Sequence, residues 1–81
     1  MHLEGEISAD VRVDAQGLNC PLPILKAKKA LNAMQSGQTL LVLSTDHGAA
    51  RDFNTFARQT GNELLEQRES QGVWQFLLRR R

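Results

Sequence analysis

A two-layer α/β (α+β) sandwich, with two helices on one face of a mixed four-stranded sheet, is the fold this sequence predicts. Three observations carry that expectation. Two segments, about 21–35 and 49–60, repeat apolar residues at helical spacing, so each buries a single stripe. Four other segments are short and either alternate apolar with polar residues or are apolar almost throughout, as strands do. The last two of these are joined by little more than Gln71-Gly72, a connection tight enough for a hairpin. The order is βαβαββ. Two helices cover one face of a sheet well, and right-handed crossovers put both on the same side. With no linker, internal repeat or low-complexity run, residues 1–81 read as one domain.

Residues 1–8 carry no pattern, and His2 reads as a solvated terminal residue. From Ala9 to Asp14 the chain alternates, Ala9, Val11 and Val13 against Asp10, Arg12 and Asp14, as in a half-buried strand. The first helix is expected from about Pro21 to Met34 or Gln35, with Ile24, Ala27, Ala30, Leu31 and Met34 on the sheet side and Gly37 as its C-cap. Thr39 to Ser44 is apolar on both faces, which suits an internal strand. Thr45 or Asp46 is then the candidate N-cap of the second helix, Ala49 to Thr60, whose core stripe is Ala49, Phe53, Phe56, Ala57 and Thr60. Gly61 stops it. Glu63 to Arg68 is weakly patterned, as expected near an edge. Val73 to Arg79 places Trp74, Phe76 and Leu78 on one side and Val73, Gln75 and Leu77 on the other. Arg79-Arg80-Arg81 reads as a solvated tail, with contact to phosphate as the alternative.

Bulk properties narrow the function classes. A formal charge of +1 points to neither a membrane surface nor a nucleic-acid partner, and no segment has the apolar length of a membrane span. One cysteine excludes an internal disulfide, and one Cys with two His falls short of a structural zinc site, so no metal and no cofactor are expected. A thiol that must stay reduced suits the cytoplasm.

That cysteine lies in Gly17-Leu18-Asn19-Cys20-Pro21-Leu22-Pro23, which also holds both prolines of the chain. Proline is favoured at a first helical position and tolerated through the first turn, so Cys20 falls at or next to the N-cap of the first helix. Free backbone N–H groups and the helix dipole there favour thiolate over thiol. The dipole contributes about 0.3–1 kcal/mol, less than one pKa unit. Lys26, Lys28 and Lys29 add to the effect only if they reach back. Otherwise they form a solvated face or attract an acidic partner. Leu25, apolar among these lysines, is a candidate docking spot, against the plain reading of a scattered exposed leucine. Asp14 is placed to brace the Gly17 turn in preference to moving a proton. His47 is either a surface residue or a pH-sensitive group.

Asp14-x-x-Gly17-Leu18-x-Cys20-Pro21-x-Pro23 resembles the signature of the TusA/SirA-like sulfur carrier family. The likeness continues through Leu43-Ser-Thr45-Asp46-x-Gly48-Ala49 and Phe53-x-x-Phe56-x-x-x-Thr60-Gly61-x-Glu63-Leu64, and so spans nearly the whole chain. It departs at His47, where many relatives carry Pro. The resemblance implies the same fold and a carrier, not a self-sufficient enzyme, that holds sulfur as a persulfide on Cys20. Pro21, Pro23, Gly17, Asp14 and Lys26 would support the cysteine, and Leu25, Lys28 and Lys29 would meet partners. For relatives, donors include cysteine desulfurases and rhodanese-like proteins, and acceptors lead to tRNA thiolation, molybdenum cofactor chemistry or sulfur oxidation. A monomer without stable nucleic-acid binding is expected. Persulfide chemistry needs an accessible, nucleophilic sulfur and no nearby second cysteine to resolve it into a disulfide. The alternative is a non-catalytic regulatory module that binds protein or RNA, with Cys20 structural. A thiol redox protein is disfavoured by the lack of a second cysteine.

Overall fold

The computed structural model describes residues 6–81 and contains the expected six elements in the expected order. They are β1 (Val11–Ala15), α1 (Leu22–Asn32), β2 (Thr39–Ser44), α2 (Ala49–Thr60), β3 (Glu63–Ser70) and β4 (Val73–Arg79). His2 lies outside the described residues. The sheet runs β1-β2-β4-β3, with β1 parallel to β2 and β4 antiparallel to both its neighbours. Side-chain character explains this order. Leu40, Leu41, Val42 and Leu43 are all buried, so β2 needs a strand on each side. β4 is the more apolar arm of the hairpin and takes the inner place. β3, with the sequence Glu-Leu-Leu-Glu-Gln-Arg-Glu-Ser, sits at the edge.

The core lies between the helices and the sheet. Phe53 of α2 is fully buried and stacks on Phe76 of β4, ring centroids 4.5 Å apart, while Phe56 meets Phe53 edge-on at 6.3 Å. Ala27, Leu31 and Met34 bring α1 and its exit into the same cluster as Leu40, Val42 and Leu78. Trp74, half-buried, also stacks on Phe76, with ring centroids 5.5 Å apart. Both stripes expected from the sequence therefore face the sheet.

Several boundaries differ, each for a local reason. β1 starts at Val11 because Asp10 turns to the head of β2, where its carboxylate accepts from Thr39 N at 2.9 Å and its own N–H donates to Thr39 Oγ1 at 3.0 Å. It continues to Ala15, which is fully buried. α1 ends at Asn32, not at Met34 or Gln35. Ala33 N and Met34 N both bond three residues back, to Ala30 O and Leu31 O, a tightening that closes the helix. Ala33 is thus the C-cap, and Gly37, with φ +88°, instead serves the turn in which Gln38 N donates to Gln35 O. Gly61 does cap α2, with φ +78° and its N–H on Ala57 O. The N-cap of α2 is Gly48, not Thr45 or Asp46. Asp46 supports it by accepting from Gly48 N at 3.1 Å.

The terminal arginines are not a free tail. Arg79 is ion-paired with Glu63 across the hairpin. Arg80 exchanges backbone hydrogen bonds with Gly37 and Gln38, both 2.8 Å. Arg81 N donates to Asn62 Oδ1 at 2.8 Å, and Ser36 Oγ donates to Arg81 O at 2.8 Å. The β4 backbone carries these residues past the loop after α1, where unpaired loop groups meet them.

Candidate functional site

Two consecutive turns carry the chain from β1 into α1 and present Cys20 between them. In the first, Leu18 N donates to Ala15 O at 3.2 Å, and Gly17 occupies the third position with φ +81°. Only glycine adopts that conformation without cost, which is the reason for Gly17. Asp14 Oδ1 accepts from Gln16 N at 3.0 Å and Thr45 Oγ1 from Gly17 N at 2.9 Å, so the turn is braced from both sides. The Gln16 N–H is the main cause that holds the Asp14 carboxyl below its ordinary pKa. A group kept ionised in this way suits a brace better than a proton shuttle.

In the second turn Leu22 N donates to Asn19 O at 2.9 Å around a cis Cys20–Pro21 peptide. α1 begins here, but Pro21 is its N-cap and not its first helical residue. Its carbonyl accepts the first helical hydrogen bond, from Leu25 N at 3.1 Å, and Pro23 is buried in the first turn. Cys20 projects just ahead of the cap and is exposed.

The helix end presents fewer of the donors expected of it, Ile24 N–H being the one left in the first turn. Pro21 and Pro23 have no N–H, Leu22 donates to Asn19, and Leu25 donates to Pro21. Cys20 instead faces α2, in a groove formed with Pro21, Ile24, Arg51, Asp52, Thr55, Phe56 and Gln59. Hydrogen bonding to the neighbouring Asp52 side chain is the main cause of a Cys20 pKa raised above the ordinary thiol value. Desolvation and the charges of Asp52 and Asp46 act in the same direction, and Arg51 opposes them. The resting sulfur is therefore held as thiol, the reverse of the thiolate preference that a bare helix terminus implies.

The other candidate residues divide between two further surfaces. Lys26 and Lys29 border a shallow groove with Arg12, Val13 and Asp14 on the β1 side. Lys28 lies beside the second half of α2, near Phe56 and Thr60. The cation that acts on the thiol is Arg51, not an α1 lysine reaching back. Leu25 is 52% exposed, and Leu22, which the sequence reading did not single out, is 47% exposed. Two large apolar side chains thus stand on the helix that starts at the sulfur. His47 is exposed and lies with Asp46, Glu69 and Trp74 at the hairpin end, away from the Cys20 groove. Among the described residues no group of three or more His, Cys, Asp or Glu could hold a metal.

Asp52 and Arg51 are the functional residues that sequence reasoning missed. A signal existed: Asp52 lies three residues after Ala49 and four before Phe56, so it borders the buried stripe of α2 and points toward the neighbouring helix. Asp52→Asn removes the charged acceptor, so the Cys20 pKa should fall. Iodoacetamide alkylation at neutral pH should then accelerate severalfold, with the whole pH–rate profile moved to lower pH. Superimposable profiles for the two proteins would remove Asp52 from the site.

Comparison with known proteins bears on the whole chain. Residues 11–80 match the family described as sulfurtransferase TusA. The sulfur carrier protein TusA of Allochromatium vinosum is 59% identical over 71 residues, which cover 88% of this chain and 93% of the relative. The crystal structure of a SirA-like protein from Desulfitobacterium hafniense superposes with a TM-score of 0.76 at 27% identity, over 85% of this chain and 95% of the other.

Proposed function

The chain belongs to the TusA family, and on that premise we propose that it is a sulfur carrier that takes up sulfur as a persulfide on Cys20 and relays it to an acceptor protein. The observation that carries this reading is an exposed sulfur, the sole cysteine of the sequence, presented on a braced turn ahead of a helix. Carrier chemistry needs such access, because both substrates are sulfur atoms on other proteins. The Cys20 sulfur attacks the outer sulfur of a donor persulfide. A new S–S bond forms at Cys20, the donor's S–S bond breaks, and the donor sulfur leaves as a thiol. The exchange is redox-neutral, and the proton of the Cys20 thiol ends on the departing donor sulfur. The donor would be a cysteine desulfurase or a rhodanese-like protein, and the leading location is the cytoplasm. No helix among the described residues is long and apolar enough to cross a membrane.

Intact mass spectrometry under non-reducing conditions tests the reading. After incubation with a cysteine desulfurase, its pyridoxal phosphate and cysteine, the protein should gain the mass of one sulfur atom and lose it on reduction. A rhodanese-like donor charged with thiosulfate is the second arm. No gain from either donor would overturn the persulfide relay.

A further inference from the structure

We infer that Lys28, Arg80 and Arg81 form an anion site that seats a carboxylate of the protein exchanging sulfur with Cys20; the inference rests on the carrier reading above. The site is a recess between the C-terminal halves of α1 and α2, floored by Leu31 and Phe56. Phe56 also lines the Cys20 groove, so the two recesses are neighbours along one interhelical track. By helical rise, the cationic end lies about 15 Å from the sulfur end. An extended segment of four or five residues spans that distance.

Three cations surround this recess, and among the described residues no carboxylate side chain pairs with any of them. Arg12, Arg68 and Arg79, by contrast, each have a glutamate partner. The recess is also built. Backbone hydrogen bonds at 2.8 Å fix Arg80 to Gly37 and Gln38, and Asn62 Oδ1 fixes Arg81 N at 2.8 Å. Arg80 Nε donates to Met34 O at 3.3 Å and its Nη1 to Arg81 O at 3.1 Å, which together orient its guanidinium. The Arg81 side chain lies over Gly61, where an added Cβ would come 2.8 Å from the guanidinium. A bare glycine is what lets the arginine lie there.

A carboxylate suits this place better than a nucleic acid. RNA binding draws on several phosphates neutralised along a basic stripe. Here three cations gather at one recess, on a chain whose formal charge is only +1. One acidic side chain meets arginine and lysine in charge-assisted hydrogen bonds and fixes the register of its segment, so that a donor or acceptor sulfur comes opposite Cys20.

The test uses the full chain and the double variant Lys28→Glu, Arg81→Glu. Each is loaded from a low-molecular-weight persulfide and from a persulfide-charged cysteine desulfurase, across a range of salt. For the native protein, the KM for the desulfurase should rise with salt. In the variant, the specificity ratio of protein donor to small donor should fall about tenfold, through KM and not kcat, and the salt dependence should flatten. Equal ratios and equal salt slopes would overturn the site. Failure of the native chain to load from the small persulfide and from either protein donor would overturn the carrier reading instead. Titration with hexaglutamate then decides the anion site alone. Shifts at the Asn32, Gly61 and Asn62 amides that vanish in the variant retain it, and their absence rejects it. The same shifts on titration with a uridine hexanucleotide, without any response to hexaglutamate, would reassign the recess to RNA and overturn the carboxylate.

Discussion

Cys20→Ser should abolish sulfur uptake completely while leaving the fold intact. The side chain is exposed and contributes nothing to the core, so its replacement by a near-isostere should change stability by less than about 0.5 kcal/mol. The serine hydroxyl keeps a hydrogen-bond donor for Asp52, so the groove keeps its polar contact. Oxygen cannot hold a transferable sulfur as a persulfide, and the chain has no second cysteine to substitute. Intact mass should show no sulfur gain from any donor, alongside an unchanged denaturation midpoint. A variant that gains sulfur would place the acceptor elsewhere. One that fails to fold would make Cys20 a structural residue and favour a binding module.

Phe53→Ala should be the most damaging single substitution in the core. Phe53 is fully buried and joins α2 to the sheet by stacking on Phe76, while Phe56 packs against its edge. Truncation removes both ring contacts and opens a cavity at the meeting point of α2 with β4, at a cost of about 3–5 kcal/mol. A domain of this size shifts its Tm by about 4–8 °C per kcal/mol, so the midpoint should fall by roughly 15 °C or more. That loss is comparable with the whole stability of many small domains, of order 5–15 kcal/mol. The single tryptophan, Trp74, stacks on Phe76 and supplies the fluorescence signal for the transition. An unchanged midpoint would mean that α2 does not seal this core. Phe53→Leu, which keeps more of the volume, should lose clearly less.

The electrostatics of the site change how its reactivity is understood. With Asp52 raising its pKa, the Cys20 sulfur rests as the thiol, the less nucleophilic form. In the proposed relay, productive reaction would then depend on a partner that brings a sulfur into line, which would limit stray oxidation of an exposed cysteine. In the proposed relay the same carboxylate would disfavour a lasting negative charge on a persulfide at Cys20, a property suited to a carrier that must also release its sulfur.

Local pattern alone determined the order of elements, the bounds of β2, α2 and β4, the buried stripes of both helices and the presence of Cys20 ahead of α1. Each of these depends on neighbours in sequence: the 3.6-residue period, the strand alternation, or a glycine such as Gly61 that must adopt positive φ. The family signature is local for the same reason, since a turn of fixed shape needs its glycine and prolines at fixed spacing. The sequence order of charges was a poorer guide. Lys26, Lys28 and Lys29 are near Cys20 along the chain, yet the helix turns them toward other surfaces, and the sulfur meets Asp52 and Arg51 from about 30 residues away. Likewise Arg80 and Arg81 read as a tail until β4, inserted between β2 and β3, carries them to Gly37, Asn62 and the end of α1. Electrostatic interaction depends on distance in space, and only the packing of α2 against α1 and the strand order set those distances.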